Sequence, residues 1–296
     1  MSLRLISVVV FFCFSTALYS QNQATRSFGQ PRFTPQQIVE SLHKAYPEAI
    51  DRVGTRNGDQ AFRIRGQWFS WAEGRLLPSH LANKFQDFSS WPFYPYSTLY
   101  NPPLSEFSPE EKKSLNERLD NRESSPISRS GDFYSLLYRI TDRESAWNMM
   151  KTTYFLGFKV LIHRDLLEDL ARVEERIQNS MVDNQTLREY VESIELLSGF
   201  NWRVIAGTET LSNHSYGIAI DVIPKNYNGK HAYWRWFKAE YPEWYSLPWE
   251  LRYIPPESFV KAFEQEGFIW GGKWFFFDGI HFEYRPEILL LNGIHK

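Results

Sequence analysis

The segment 212–223 has the sequence SNHSYGIAIDVI. Gly217 permits a turn, and the apolar residues after it alternate around Asp221 with the period of two that is typical of a β-strand. An ionised aspartate among apolar strand residues is costly unless it is paired or binds a metal. Because His214 lies just before the turn, it is placed to share a metal ion with Asp221. The segment therefore predicts a strand that carries part of a metal site.

A second strand-like segment, 278–284, has the sequence DGIHFEY. His281 and Glu283 fall on one face of this predicted strand, and Asp278 lies just upstream. A catalytic zinc ion takes three protein ligands and leaves a fourth position for water, and a nearby carboxylate must then move the proton of that water. Asp278 is the candidate for this base, with Glu283 as the second candidate. The predicted ligands of one Zn²⁺ ion are His214, Asp221 and His281.

The residue types in the rest of the chain limit the choice of metal ligands. The only cysteine, Cys13, lies near the start of the chain, so a metal site further on must use His, Asp or Glu. Most histidines in proteins are satisfied polar residues, and local context is what singles out His214 and His281. His231 is a spare ligand candidate without a strand context, for which a surface position is the simpler interpretation. Manganese or cobalt can occupy the same donors in vitro.

Together the two motifs resemble those of the VanY-type D-alanyl-D-alanine carboxypeptidase family of zinc peptidases. They read SxHxxGxAxD, starting at Ser212, and DxxHFE, starting at Asp278. Relatives of this family include VanX-type dipeptidases and L-alanyl-D-glutamate endopeptidases. The resemblance covers about residues 132–286 and implies the same zinc ligands and the same base. It also implies peptidoglycan peptides as substrates, and it leaves open whether the action is that of a carboxypeptidase or an endopeptidase.

The fold that we expect is α+β, with a small antiparallel sheet flanked by helices. The resemblance implies the arrangement shared by these peptidases and the amino-terminal signalling domain of Hedgehog proteins. An additional α+β region precedes it. Helical periodicity and capping signals predict helices near residues 34–46, from 108, from 141, and over 166–177, 187–197 and 257–266. Short strands are predicted over 159–162, 201–206, 217–223, 268–270 and 280–284, with a hairpin within 61–71.

Other residues near the motifs are candidates for substrate contact or transition-state stabilisation. Arg203 is the candidate for stabilising an oxyanion, with a surface salt bridge as the alternative. Ser212 can contact substrate or orient a ligand, and turn capping explains it equally well. Trp234, in the aromatic segment 233–249, can line a cleft for glycan or peptide, with core packing as the alternative. Glu283 is a further candidate for substrate binding.

Two functions other than peptidoglycan hydrolysis stay open from the sequence. A zinc-containing cell-wall binding or sensor module can have the same fold without turnover. A peptidase of ordinary exported proteins is also compatible, because the motifs describe metal chemistry and leave the substrate pocket undefined. Asp278 favours catalysis, since a purely structural site needs no free carboxylate beside it.

The first twenty residues have the pattern of a secretory signal. Arg4 precedes an apolar run over residues 5–14, and smaller residues lead to Ser20. An uncleaved anchor is the alternative, and no later stretch approaches the ~20 apolar residues of a membrane span. We therefore expect an exported protein, periplasmic or associated with the cell envelope, without stable membrane insertion after signal cleavage.

A polar stretch over residues 120–131 predicts a domain boundary near residue 130. It separates an N-terminal region of unknown role, 21–130, from a peptidase domain, 131–296. The N-terminal region can be a wall-binding module, a pro-region that limits access, or a structural extension. The formal net charge of -2, with both signs scattered along the chain, predicts no nucleic-acid partner.

Overall fold

The computed structural model describes residues 33–102, 104, 106–124, 127–205, 208–238, 240–241 and 243–294. The predicted secretory signal lies outside these residues. Among the described residues, no helix combines the length and the apolar character needed to cross a membrane.

The described part of the chain is α+β, as predicted. Its helices are α1 (Pro35–Ala45), α2 (Pro109–Ser124), α3 (Asp132–Tyr138), α4 (Arg143–Met149), α5 (Leu167–Met181), α6 (Gln185–Glu192), α7 (Trp234–Lys238), α8 (Glu257–Glu264) and α9 (Pro286–Leu291). Its strands are β1 (Ile50–Arg56), β2 (Asp59–Ile64), β3 (Gln67–Ser70), β4 (Leu77–Pro78), β5 (Met150–Phe155), β6 (Phe158–His163), β7 (Ile194–Ser198), β8 (Ala219–Pro224), β9 (Phe268–Trp270) and β10 (His281–Tyr284).

The strands form small antiparallel sheets. The N-terminal sheet has the order β1-β2-β3-β4, β5 and β6 form a hairpin, and the C-terminal sheet has the order β7-β8-β10-β9. In the C-terminal sheet, His281 of β10 lies directly opposite Asp221 of β8. On the other side of β8, Ser198 of β7 pairs with the same aspartate. Both predicted metal motifs therefore meet in one sheet.

Local sequence signals explain several of these elements. Thr34 caps α1, because its hydroxyl accepts a hydrogen bond from Gln37 N at 3.2 Å while the Gln37 side chain accepts from Thr34 N at 2.8 Å. The predicted hairpin is formed by β2 and β3, with Gly66 at φ +86° in the turn between them. These two predictions are confirmed.

The predicted helix over residues 187–197 is wrong in its second half. The helix α6 ends at Glu192, and Ile194–Ser198 form the edge strand β7 instead. Leu197 pairs with Val222 of β8, so sheet formation outweighs the helical spacing of the apolar residues. The predicted strand over 201–206 is also wrong for its described residues, where Val204 forms only an isolated bridge with Leu211.

The hydrophobic core is continuous across residue 130. One cluster of buried side chains contains Ile38 and Phe62 from the N-terminal region together with Ile220 and Phe282 from the C-terminal sheet. The rings of Phe62 and Phe133 are in edge contact, with centroids 5.6 Å apart. The packing of the described residues therefore has no break near residue 130. The domain boundary at that position stays a prediction from the sequence.

Candidate metal centre

Three side chains converge at the middle of the C-terminal sheet. Asp221 Oδ1 lies 2.8 Å from His281 Nδ1 and 3.2 Å from His214 Nε2. The donor atoms of the three residues all lie within 4.8 Å of one another. The structure therefore brings together the residues that the sequence predicts as metal ligands.

A tight turn before β8 positions His214. The turn is the 3₁₀ segment Asn213–Tyr216, and the Ser212 hydroxyl caps it by accepting a hydrogen bond from His214 N at 3.4 Å. Gly217 ends the turn at φ +65° and donates from its backbone N to His214 O at 3.0 Å. A Cβ atom at this glycine would lie 2.3 Å from Met150 Sδ. Both the left-handed backbone and the close packing therefore require glycine here.

The tautomer of His214 follows from its other ring nitrogen. His214 Nδ1 lies 2.6 Å from the carbonyl oxygen of Gly199, which can only accept a hydrogen bond. Nδ1 therefore carries a proton, and Nε2 is the ring nitrogen that faces Asp221 and is placed to bind a metal ion.

His281 is held in a similar way by a carboxylate. Its Nε2 lies 3.1 Å from Glu283 Oε2, while Nδ1 faces Asp221. Asn213 Nδ2 donates to the same oxygen of Glu283 at 2.6 Å, and Arg285 Nη1 lies 3.5 Å from the other oxygen. A carboxylate on the far nitrogen of a ligating histidine fixes the ring orientation and raises the basicity of the ligand. Glu283 therefore orients His281.

The charges at the site favour a bound cation. Burial by itself would raise the pKa of Asp221, but hydrogen bonds from His214 and His281 hold it well below its usual value. Burial would also lower the pKa of His281, yet hydrogen bonds to Asp221 and Glu283 raise it well above its usual value. Glu283 has a lowered pKa because its bond to His281 outweighs its burial. Ionised carboxylates thus stabilise positive charge at this point.

The donor set fits one zinc ion. Donor atoms around a tetrahedral zinc ion lie about 3.3 Å apart when the bonds are about 2.0–2.1 Å long. The distances from Asp221 Oδ1 to His281 Nδ1 and to His214 Nε2, 2.8 and 3.2 Å, are close to that value. Two imidazoles and one carboxylate leave a fourth position for water or substrate, which is the composition of catalytic zinc sites.

Asp278 lies next to these ligands with an unsatisfied oxygen. Its Oδ1 atom is shielded from solvent and has no hydrogen-bond partner among the described residues. Burial raises the pKa of Asp278 to about 7, and the charge of Asp221 adds to this, while His281 and Arg203 oppose it. A carboxyl group with a pKa near neutrality can both accept and donate a proton. Among the buried side-chain atoms of the described residues that have no partner, Asp278 Oδ1 is the one carboxylate oxygen, which marks Asp278 as a candidate functional group.

The other predicted site residues occupy different positions. Arg203 is exposed, and its backbone N donates to Ser215 Oγ at 2.9 Å. Ser212 is buried as the cap of the turn, so its substrate contact stays a prediction. Trp234 packs against Trp244, with ring centroids 4.7 Å apart, in a separate hydrophobic cluster. His231 lies outside the metal cluster, with its ring 4.2 Å from that of Phe237.

Several residues at the site were not predicted from the sequence. Gly199 and Asn213 position the two histidine motifs, but single hydrogen-bonding groups leave no periodic signal. Tyr233 forms a backbone bridge with Asp278, and its ring lies 5.7 Å from that of Trp236. The Trp236 side chain is 61% exposed. The aromatic segment was recognised, but the sequence does not distinguish its exposed tryptophan from the packed Trp234.

Comparison with known proteins links the site to one family. A family model described as D-alanyl-D-alanine carboxypeptidase matches residues 206–284, and a model of a domain of unknown function matches residues 38–93. No curated protein and no solved structure matches the chain. The first match contains the three predicted metal ligands and Asp278, and it covers about a quarter of the chain. This part of the chain is therefore similar to peptidases of the D-alanyl-D-alanine carboxypeptidase type.

Proposed function

We propose that the protein is an exported, zinc-dependent peptidase that hydrolyses peptidoglycan stem peptides. The family match over residues 206–284 supports peptidase chemistry and this class of substrate. The cluster of two histidines and one aspartate supports a single metal ion. The proposal of export rests on the pattern of the first twenty residues.

The observation that carries the proposal is the orphaned Asp278 Oδ1 beside the ligand cluster. A structural metal site gains nothing from a buried carboxyl group without a partner, and burying one costs free energy. A hydrolytic site needs such a group. The alternative of a non-catalytic zinc module in the cell wall offers no role for this oxygen.

The chain supplies the groups that such a hydrolysis requires. His214, Asp221 and His281 would hold the ion, with the two histidines oriented by a carbonyl and a carboxylate. Bound zinc supplies Lewis-acid chemistry, which polarises a carbonyl group and lowers the pKa of water toward about 7. Asp278 takes the proton from the attacking water and returns it to the leaving amine, a transfer that suits its raised pKa.

We infer that substrate binds beside Asp278, near Arg203 and Tyr233. Arg203 is exposed, and its charge acts on both Asp278 and Tyr233, which supports the proposal that it stabilises a developing oxyanion. Next to Tyr233, the exposed ring of Trp236 provides an apolar surface for the substrate backbone or side chains. Trp234 contributes indirectly through packing.

The test is mass spectrometry of purified peptidoglycan and its stem peptides after incubation with the mature protein, with and without a chelator. Loss of terminal D-alanine that the chelator abolishes establishes a carboxypeptidase. Cleavage within the stem or the cross-link retains the mechanism and changes the bond. If the folded, zinc-loaded protein releases no fragment, the catalytic proposal fails and the binding-module alternative takes its place.

Two variants separate catalysis from metal binding in the same assay. Asp278→Ala keeps the ligand cluster, so it should retain zinc and lose turnover. His281→Ala removes a ligand and should lose both. Asp183→Asn removes the charge of an exposed aspartate outside the site and is the matched control, with unchanged zinc content and turnover.

A further inference from the structure

A chain of buried polar side chains runs outward from the metal centre. His281 is bonded to Glu283, and Arg285 Nη1 lies 3.5 Å from Glu283 Oε1. Arg285 Nε in turn donates to Glu287 Oε1. Each of these four side chains belongs to a residue that is no more than 8% exposed. Arg285 lies between the two carboxylates of Glu283 and Glu287, so the charges of these three side chains alternate.

The outer end of this chain is held by the N-terminal segment. Tyr46 OH donates to Glu287 Oε2 at 2.7 Å, and Ser41 Oγ donates to Glu287 O at 2.8 Å. Arg285 Nη2 donates to Pro92 O at 3.1 Å. These three N-terminal contacts lie within residues 38–93, the segment that matches a domain of unknown function. They all fall on the residues that directly follow strand β10.

Because these polar side chains are buried, their arrangement is sensitive to the loss of any one of them. A buried charge that loses its partner costs much more than a surface ion pair contributes, so the remaining groups shift to find new partners. A shift of Arg285 changes its contact with Glu283, and Glu283 fixes the ring of His281. Partners of this kind tune metal affinity although they never touch the metal.

We propose that the N-terminal segment is an integral part of the metal centre, with Tyr46 and Ser41 acting as positioning residues for His281. They fix Glu287, which holds Arg285 against Glu283. This inference rests on the zinc site of the proposed function and is independent of the substrate. It gives the N-terminal region a structural role at the site, distinct from wall binding or from blocking access.

The test is the zinc affinity of Tyr46→Phe in the full mature chain, measured by competition with a chromogenic chelator. Removing an outer partner of a metal ligand typically weakens affinity about 10- to 100-fold. Because Tyr46 acts through three intervening residues, we expect Tyr46→Phe to weaken zinc affinity by less, about threefold to tenfold. The absorption spectrum of the cobalt-substituted protein should also change, since it reports on the orientation of the ligands.

Tyr96→Phe is the matched control. Tyr96 is also a buried tyrosine of the N-terminal region, and its hydroxyl donates to Glu264 and accepts from Trp270 N at 2.9 Å, both in the C-terminal part. That glutamate pairs with Lys273 and contacts neither Glu283 nor Arg285 among the described residues. Tyr96→Phe should therefore lower the unfolding temperature while leaving zinc affinity and the cobalt spectrum unchanged.

The outcomes separate this inference from the proposed function. If the wild-type chain binds no zinc, the proposed metal site itself fails. If the wild-type chain binds zinc and Tyr46→Phe binds it equally well, or if both tyrosine variants lose affinity alike, the positioning role is refuted. Should Tyr46→Phe not fold, Ser41→Ala replaces it with the same expected direction. The double variant Tyr46→Phe/Glu283→Gln should bind zinc no more weakly than Glu283→Gln alone, because both residues act through the same series of side chains.

Discussion

Replacement of Gly217 by alanine tests how tightly the turn before β8 is built. The new Cβ atom would lie 2.3 Å from Met150 Sδ and 2.8 Å from His163 N. The methionine end can move, but the backbone nitrogen is fixed by its hydrogen bond to Gly217 O at 2.9 Å. The φ angle of +65° adds strain for any residue with a side chain.

The magnitude is the sum of these two effects. A left-handed backbone costs a non-glycine residue about 1–2 kcal/mol, and overpacking of a filled interior costs about 1–3 kcal/mol. Gly217→Ala should therefore lower the free energy of unfolding by about 2–5 kcal/mol. Because Gly217 N is bonded to His214 O, zinc affinity should fall as well.

Gly229→Ala separates the two effects. Gly229 has a similar φ of +72°, but nothing lies within 4 Å of the position that a Cβ atom would take there. It should lose only the backbone contribution, about 1–2 kcal/mol, and keep its zinc affinity. Urea denaturation with chelator competition on both variants gives the comparison. Equal losses of stability, or an unchanged zinc affinity in Gly217→Ala, would refute the argument that close packing at this glycine positions His214.

Three further predictions concern single side chains. Asp278→Asn should lower turnover about 10²- to 10⁴-fold without changing the zinc content. Stem-peptide hydrolysis and metal analysis measure the two quantities. Unchanged turnover would show that Asp278 is not the base. Burial lowers the pKa of His163, so the folded state favours its neutral form and stability should decline as the pH falls below about 6.5. Denaturation midpoints between pH 5 and 8 should show a flatter profile for His163→Gln, and an identical profile would contradict this. Trp236→Ala should raise KM with little loss of stability, whereas Trp234→Ala should destabilise the fold. Steady-state kinetics and thermal melts of both variants test this. A raised KM in Trp234→Ala, with loss of stability in Trp236→Ala, would assign the substrate surface to Trp234 instead.

The metal motifs could be predicted because each is carried by a short segment with its own local logic. The alternation around Asp221 and the pair His281 and Glu283 both follow from the period of two of a strand. Gly217 marked the turn because its backbone needs a left-handed conformation. These signals do not depend on the rest of the fold.

The errors arise where tertiary contacts decide the structure. The apolar residues over 187–197 have helical spacing, yet Ile194–Ser198 pair with β8. The strand β5 was not predicted, because its pairing with β6 depends on a partner that follows it in the chain. The series of buried polar side chains from His281 to Tyr46 connects residues that are 235 positions apart in the sequence. Contacts over such a separation leave no local sequence pattern.

The central claim is that one metal ion at His214, Asp221 and His281 supports hydrolysis with Asp278. Titration of zinc into chelator-treated mature protein, following bound metal and stem-peptide cleavage in the same samples, tests it most directly. The account predicts that cleavage rises in proportion to bound zinc and saturates at one equivalent, and that Asp278→Asn binds the same equivalent without cleavage. Full cleavage by the metal-free protein, or one bound equivalent without any cleavage by the wild-type chain, would contradict it.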